Sequence, residues 1–86
     1  MLELIQKTLN ELSVGESATV SHIKQTDIAD RLIDLGLTVG SRVTCTLQSP
    51  LGDPKAYLIR GAVIAVRHSD AATVTVTSVP EEEDHA

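Results

Sequence analysis

The sequence predicts a mainly β protein with one short helix, built as a small, strongly bent sheet of about five strands that closes on itself. Short runs rich in β-branched residues recur along the chain, separated by Gly, Pro and polar clusters. Only one segment pairs apolar residues at helical spacing with a stop signal. The chain has 86 residues, Phe and Trp are absent, and Tyr57 is its one aromatic residue. A chain of this size buries roughly 60–65% of its unfolded surface, enough for one core and too little for a deep substrate cavity. That core must be built from Val, Ile, Leu and Ala.

The helix lies in Asp27–Val43, the best-specified stretch. Asp27 is placed to cap it, because its carboxylate can accept from the unpaired amides of the first turn. Ile28, Leu32 and Leu35 follow at i, i+4 and i+7 as one apolar stripe. Gly36 stands where the helix must stop, since glycine takes the left-handed conformation after a helix without steric cost. Arg31 is spaced to pair with Asp27 and with Asp34, which offsets the repulsion of Asp30 and Asp34 and the unfavourable dipole at Asp34. A cation on another loop or chain is the sharper alternative partner for Asp34.

Before the helix, Leu2, Ile5, Leu9 and Leu12 are loosely helical in spacing, and Thr8 or Asn10 is placed to start a short turn ending at Val14-Gly15. Ser17–Ile23 reads as a strand with Ala18, Val20 and His22 on one face. After the helix, Arg42–Gln48 alternates with Val43, Cys45 and Leu47 to one side, the mark of a half-buried strand. Ser49–Pro54 is a loop, because its prolines lack the ladder amide. Lys55–Ile59 resumes as a strand and Arg60-Gly61 marks a turn or bulge. Ala62–Val66 is a continuous apolar run, expected to be covered on both sides with the helix lying over it. His68–Ala72 connects to a last alternating strand, Thr73–Thr77. Closure would remove exposed strand edges, and the pattern as a whole fits a small barrel of SH3-like type.

The net charge of −5 misleads, because four of the twelve acids are Glu81, Glu82, Glu83 and Asp84. Residues 1–80 carry seven basic and eight acidic side chains, a net of −1. A nearly neutral body with one aromatic residue lacks the basic surface and stacking platforms of a nucleic-acid binder. Cys45 has no partner for a disulfide, which fits a reducing compartment. The start lacks a basic flank and sustained apolar run, and nowhere is there an apolar run near membrane-spanning length. The expectation is a cytoplasmic protein without membrane insertion.

No catalytic constellation appears. Cys45 looks inward from a strand with no histidine near it in sequence, and no glycine-rich elbow or phosphate-cradling loop is present. His22, His68, His85 and Cys45 are scattered without ligand-like spacing, so no resident metal or cofactor is expected, and His22 is read as a hydrogen-bonded barrel histidine. What remains is surface. Leu51 stands at the tip of a loop stiffened by Pro50 and Pro54, either offered for recognition or folded back over the barrel.

Arg31–Leu37 with Val39-Gly40, then Pro50–Pro54, then Arg60-Gly61 with Ile64–Arg67 and Ala71, resemble the FeoA family over about residues 8–79. The resemblance implies an SH3-like barrel. The residues before Thr8 and after Pro80 lie outside the shared pattern. The domain is taken as residues 1–79, and the like charges of the acidic tail, 80–86, predict that it is disordered. The resemblance further implies an accessory of bacterial Fe(II) uptake that binds and modulates FeoB, the membrane transporter, without catalysis of its own. Gly36 and Gly40, Leu51-Gly52-Asp53-Pro54 and Arg60-Gly61 match the family pattern. With Asp34 and Leu35 beside Gly36, they are the candidate partner-contact or loop-shaping positions. The same barrel resembles the C-terminal domain of iron- and manganese-dependent repressors, so a domain that binds Fe(II) as carrier or sensor is the rival class. Self-association through the barrel's edge is the third.

Overall fold

Six antiparallel strands and two short helices make up the computed structural model of the protein, which describes residues 4–78. In chain order they are β1 (Ile5–Thr8), a 3₁₀ turn (Leu9–Glu11), β2 (Ser17–Ile23), α1 (Asp27–Asp34), β3 (Arg42–Gln48), β4 (Lys55–Ile59), β5 (Ala62–Val66), α2 (His68–Ala71) and β6 (Val74–Ser78). The sheet order is β1-β6-β2-β3-β4-β5. Inward residues of five strands, among them Val20, Val43, Cys45, Tyr57, Ile59, Val66, Val74 and Val76, meet Leu9, Leu12 and Leu37 in one core. Cys45 is fully buried there, as its place in the alternation requires.

The extra strand replaces part of the helical turn expected before Val14. Residues Ile5–Thr8 pair with β6, from Ile5 opposite Ser78 to Thr8 opposite Thr75. Pairing with an open strand edge outweighs a weak local helical preference. Only Leu9–Glu11 turns, held by the Thr8 N–H donating to Glu11 Oε1 at 2.8 Å, and it drops Leu9 and Leu12 into the core. Leu2 and the acidic tail lie outside the described residues.

Two bulges overturn two side-chain assignments. In β2 the register against β6 shifts between Val20 and His22, so Ser21 is the inserted residue. The shift turns His22 out to solvent opposite Thr75 and brings Ile23 against the core opposite Val74. In β3 the register against β4 shifts between Cys45 and Leu47, which places Leu47 opposite Ala56 on the outer face, 64% exposed. One inserted residue exchanges the faces of everything beyond it, because side chains alternate with period two.

The helix also differs in detail. Thr26, not Asp27, caps α1, its hydroxyl accepting from Ala29 N–H at 3.1 Å. Ala29 and Leu32 are its buried residues, whereas Leu35 is exposed just beyond the last turn; the side chain of Ile28 lies outside the described residues. Neither expected Arg31 pair forms, and no cation lies within ion-pair distance of Asp34 among the described residues. Gly36 does stop the helix, at φ +110°. The segment that follows is clipped down by Ser41, whose hydroxyl accepts from Thr38 N–H at 3.0 Å and donates to Gly36 O at 3.3 Å.

The largest correction concerns β5. Expected to be sandwiched, it is instead the last strand of the sheet, with Ala62, Val63 and Ala65 exposed. Among the described residues no ladder joins β1 to β5, so strand pairing there does not close the barrel. Side chains of β4 bridge the gap instead. Lys55 Nζ donates to Asn10 O at 2.8 Å and to Leu12 O at 2.9 Å, and Tyr57 Oη to Leu9 O at 3.4 Å.

Candidate partner-docking surface

The sheet's outer face is built from rows set by the strand registers. One row runs Ser17, Thr44, Leu58, Val63 across β2, β3, β4 and β5. The next runs Leu47, Ala56, Ala65 across β3, β4 and β5. Over β4 and β5 these rows form an aliphatic strip, with Leu58 38% and Val63 64% exposed. The Thr46 bulge adds Leu47 to it.

One end of the strip carries the loop between β3 and β4. Leu51 stands at its tip, 94% exposed, so it does not fold back over the barrel. The loop is held in shape by Ser49 N–H donating to Pro54 O at 3.2 Å and Gly52 N–H donating to Ser49 O at 2.8 Å. Asp53 points to the molecule rather than to solvent partners: its Oδ1 accepts from His68 N–H at 2.9 Å and ties the loop to the start of α2.

The other end carries the β4–β5 turn. Ile59 pairs with Ala62, leaving Arg60 (φ +51°) and Gly61 (φ +84°) as the central residues of a hairpin whose positive angles suit the twist of its strands. The Arg60 side chain lies over the helix stop, so that a methyl group on Gly36 would stand 3.3 Å from Arg60 Cδ. The structure therefore brings Asp34, Leu35, Gly36, Arg60 and Gly61 together as one corner. It sets Leu51, Gly52, Asp53 and Pro54 apart from them by the length of β4, whose residues rise about 3.3 Å each.

The strip between these clusters, Leu47, Ala56, Leu58, Val63 and Ala65, was missed by sequence reasoning. Its only signal was the uninterrupted apolar run at 62–66, which reads the same for a covered strand and for an edge strand awaiting a partner.

Beneath the strip the Tyr57 hydroxyl donates to Leu9 O, whereas the buried Ser49 hydroxyl has no partner among the described residues. Burial pushes the Tyr57 phenol up to about 12, with Cys45 and Asp53 adding to the effect. Just before β2, burial opposes ionisation of Glu16. The Lys7 ammonium at 2.6 Å and the Ser13 amide outweigh it and hold the carboxyl below its usual range. Among the described residues no three His, Cys, Asp or Glu side chains gather as a metal site. No helix among them is long and apolar enough to cross a membrane.

The FeoA domain family matches residues 7–78, which include every element from the last residues of β1 to the end of β6. The chain belongs to the FeoA family. A FeoA-like protein from Clostridium acetobutylicum is similar at 26% identity and a TM-score of 0.80, over 94% of each chain. FeoA from Stenotrophomonas maltophilia is 32% identical with a TM-score of 0.72, over 80% of this chain and 87% of that one. That protein was crystallised with zinc and is described as a prokaryotic SH3-domain protein and candidate activating factor of bacterial ferrous iron transport. A manganese-dependent transcriptional repressor, 18% identical with a TM-score of 0.77, shares the fold over 88% of this chain and 43% of its own. No curated protein matches the chain in sequence. Within the FeoA family the SH3-like barrel expected from the strand pattern is the fold, with six strands in place of five.

Proposed function

We propose that this FeoA-family chain is a non-enzymatic accessory protein of bacterial Fe(II) uptake, acting in the cytoplasm by binding and modulating FeoB, the membrane Fe(II) transporter. The observation that carries the proposal is the aliphatic outer strip on β4 and β5, left bare between two exposed corners. Apolar surface gathered into one patch on a small domain marks a docking face. The role described for the S. maltophilia relative supports the same reading. The chain works without a resident metal or cofactor. The contacts are divided between the corner of Asp34, Leu35, Gly36, Arg60 and Gly61 and the loop of Leu51, Gly52, Asp53 and Pro54. Leu51 touches the partner, whereas Gly52 and Asp53 shape the loop.

Capture of the transporter's purified cytosolic domain by this chain tests the proposal, with Leu51→Asp alongside. Binding by the wild type that the loop charge weakens is the expected result. Absence of binding at micromolar concentrations overturns it. The zinc complex of the S. maltophilia relative favours one rival, a domain that itself binds Fe(II). Anaerobic calorimetry separates the two: tight one-to-one Fe(II) binding, lost in His22→Ala or Cys45→Ala, would replace the adaptor by a carrier or sensor.

A further inference from the structure

We propose that β5 is a docking strand: an extended segment of the partner adds to its free edge, with an acidic residue of that segment placed at Arg60. The inference rests on the transporter-adaptor reading and specifies its contact.

The hairpin geometry identifies the free groups. A two-residue turn makes Ile59 and Ala62 a hydrogen-bonded pair, and antiparallel pairs then alternate. Ala62, Ile64 and Val66 spend their main-chain groups on β4, whereas the N–H and C=O of Val63 and Ala65 point away from the sheet. No other described backbone group pairs with them. The same two residues carry outward side chains, so a strand added at this edge would extend the aliphatic strip as well as the ladder. Edge strands that must stay single are normally blunted by charge, proline or a bulge. The run Ala62-Val63-Ile64-Ala65-Val66 has none of these.

Charge selects the occupant. Arg60 is exposed at one end of β5 and has no carboxylate within ion-pair distance among the described residues. Arg67, at the other end, is paired with Asp70 at 3.3 Å. Arg42, at the start of β3, stands beside the Arg60 end, because Val43 is opposite Ile59. A second copy fits this poorly. Antiparallel pairing of two β5 strands about Ile64 overlaps all five residues but puts Arg60 of each copy opposite His68 of the other, and the paired run Ala62–Val66 offers Arg60 no carboxylate. An incoming strand with alternating aliphatic residues and a carboxylate near Arg42 and Arg60 meets both the apolar and the charged demands. This is strand addition, in which main-chain bonds supply affinity and alternate side chains supply specificity.

The test uses the full chain and the purified cytosolic domain of the transporter, with two readouts. In Ala65→Pro the lost N–H is one that β4 does not use, so the hairpin keeps its ladder. Its affinity for the domain is expected to fall at least about tenfold, the effect of removing one to two main-chain hydrogen bonds. Independently of any variant, amide hydrogen exchange in the wild-type complex is expected to slow at Val63 and Ala65. Charge reversal in Arg60→Glu is expected to weaken binding most at low salt and less at high salt, because screening diminishes both the lost attraction and the new repulsion. Binding that survives Ala65→Pro, with exchange at Val63 and Ala65 unchanged, overturns strand addition while leaving the adaptor reading intact. A wild-type chain that does not bind the domain overturns both. Protection of the two amides in the isolated chain, rising with its concentration together with its mass in sedimentation, overturns the partner strand in favour of a second copy.

Discussion

The two halves of the sheet's outer face differ although they share one core. Over β6, β2 and the start of β3 the outward residues are polar and mostly hydroxylic: Thr75 and Thr77, Ser17, Thr19 and His22, Arg42 and Thr44. Ser17 and Thr44 bond to one another at 2.7 Å, a cross-strand pair that needs no further partner. Over the end of β3, β4 and β5 the outward residues are Leu47, Ala56, Leu58, Val63 and Ala65. The inner faces show no such division, since both halves send Val, Ile, Cys or Tyr inward. Core packing therefore does not explain the contrast. An outward aliphatic residue gains little from burial in the isolated chain, and the half that carries them ends in β5, one of the sheet's two terminal strands. The difference separates a solvated wall from a wall suited to being covered.

Placing charge on each half sharpens this contrast most. Leu58→Asp is expected to reduce affinity for the transporter's cytosolic domain by about 100-fold, as for loss of a buried interface anchor. Thr77→Asp on the hydroxylic half should leave it within about twofold, since exposed substitutions away from an interface cost little. Equal effects, measured by calorimetry, would erase the distinction between the halves.

The inner side of the apolar half gives the next effect. Because the folded Tyr57 phenol is pushed up to about 12, its contribution is complete below the ordinary tyrosine range. It is lost as the pH rises from about 10 toward 12, amounting to roughly 2–3 kcal/mol. Tyr57→Phe should flatten that alkaline loss in denaturant titrations. At the corner, Gly36→Ala is expected to cost about 1–3 kcal/mol, because alanine must adopt positive φ. It must also displace Arg60 Cδ. A thermal melt checks the stability, and a parallel loss of partner affinity would show that the corner belongs to the interface. The smallest effect lies on the hydroxylic side of the molecule. Glu16 is held below its usual range, so its stabilisation is present at neutral pH and lost as pH falls through the folded value. The pair with Lys7 is part-exposed, so Glu16→Gln should change stability by less than about 1 kcal/mol and remove that acid dependence.

Much of the fold was legible because local chemistry speaks directly about it. The bounds of β2 and β3 follow from their composition and alternation, and those of β4 and β5 from the breakers on either side of them. The helix stop at Gly36 and the turn at Arg60-Gly61 follow from positive φ. The bulges at Ser21 and Thr46 were not legible, since nothing in either residue marks an insertion; they exist only relative to the partner strand. For that reason His22 and Leu47 were placed on the wrong face. The candidate site residues were found as two clusters, but their separation by β4 and the strip between them required the registers.

By itself the sequence determined an aliphatic single-core barrel, its strand limits, its helix stop and its family, because these depend on neighbours within a few positions. Only the tertiary structure decided that Ile5–Thr8 is a strand, that Lys55 and Tyr57 bridge the unpaired gap, and that Ala62–Val66 lies at an edge. An apolar run carries no record of how many neighbours it will have. That number is set by strand order, and strand order is settled between segments far apart in the chain.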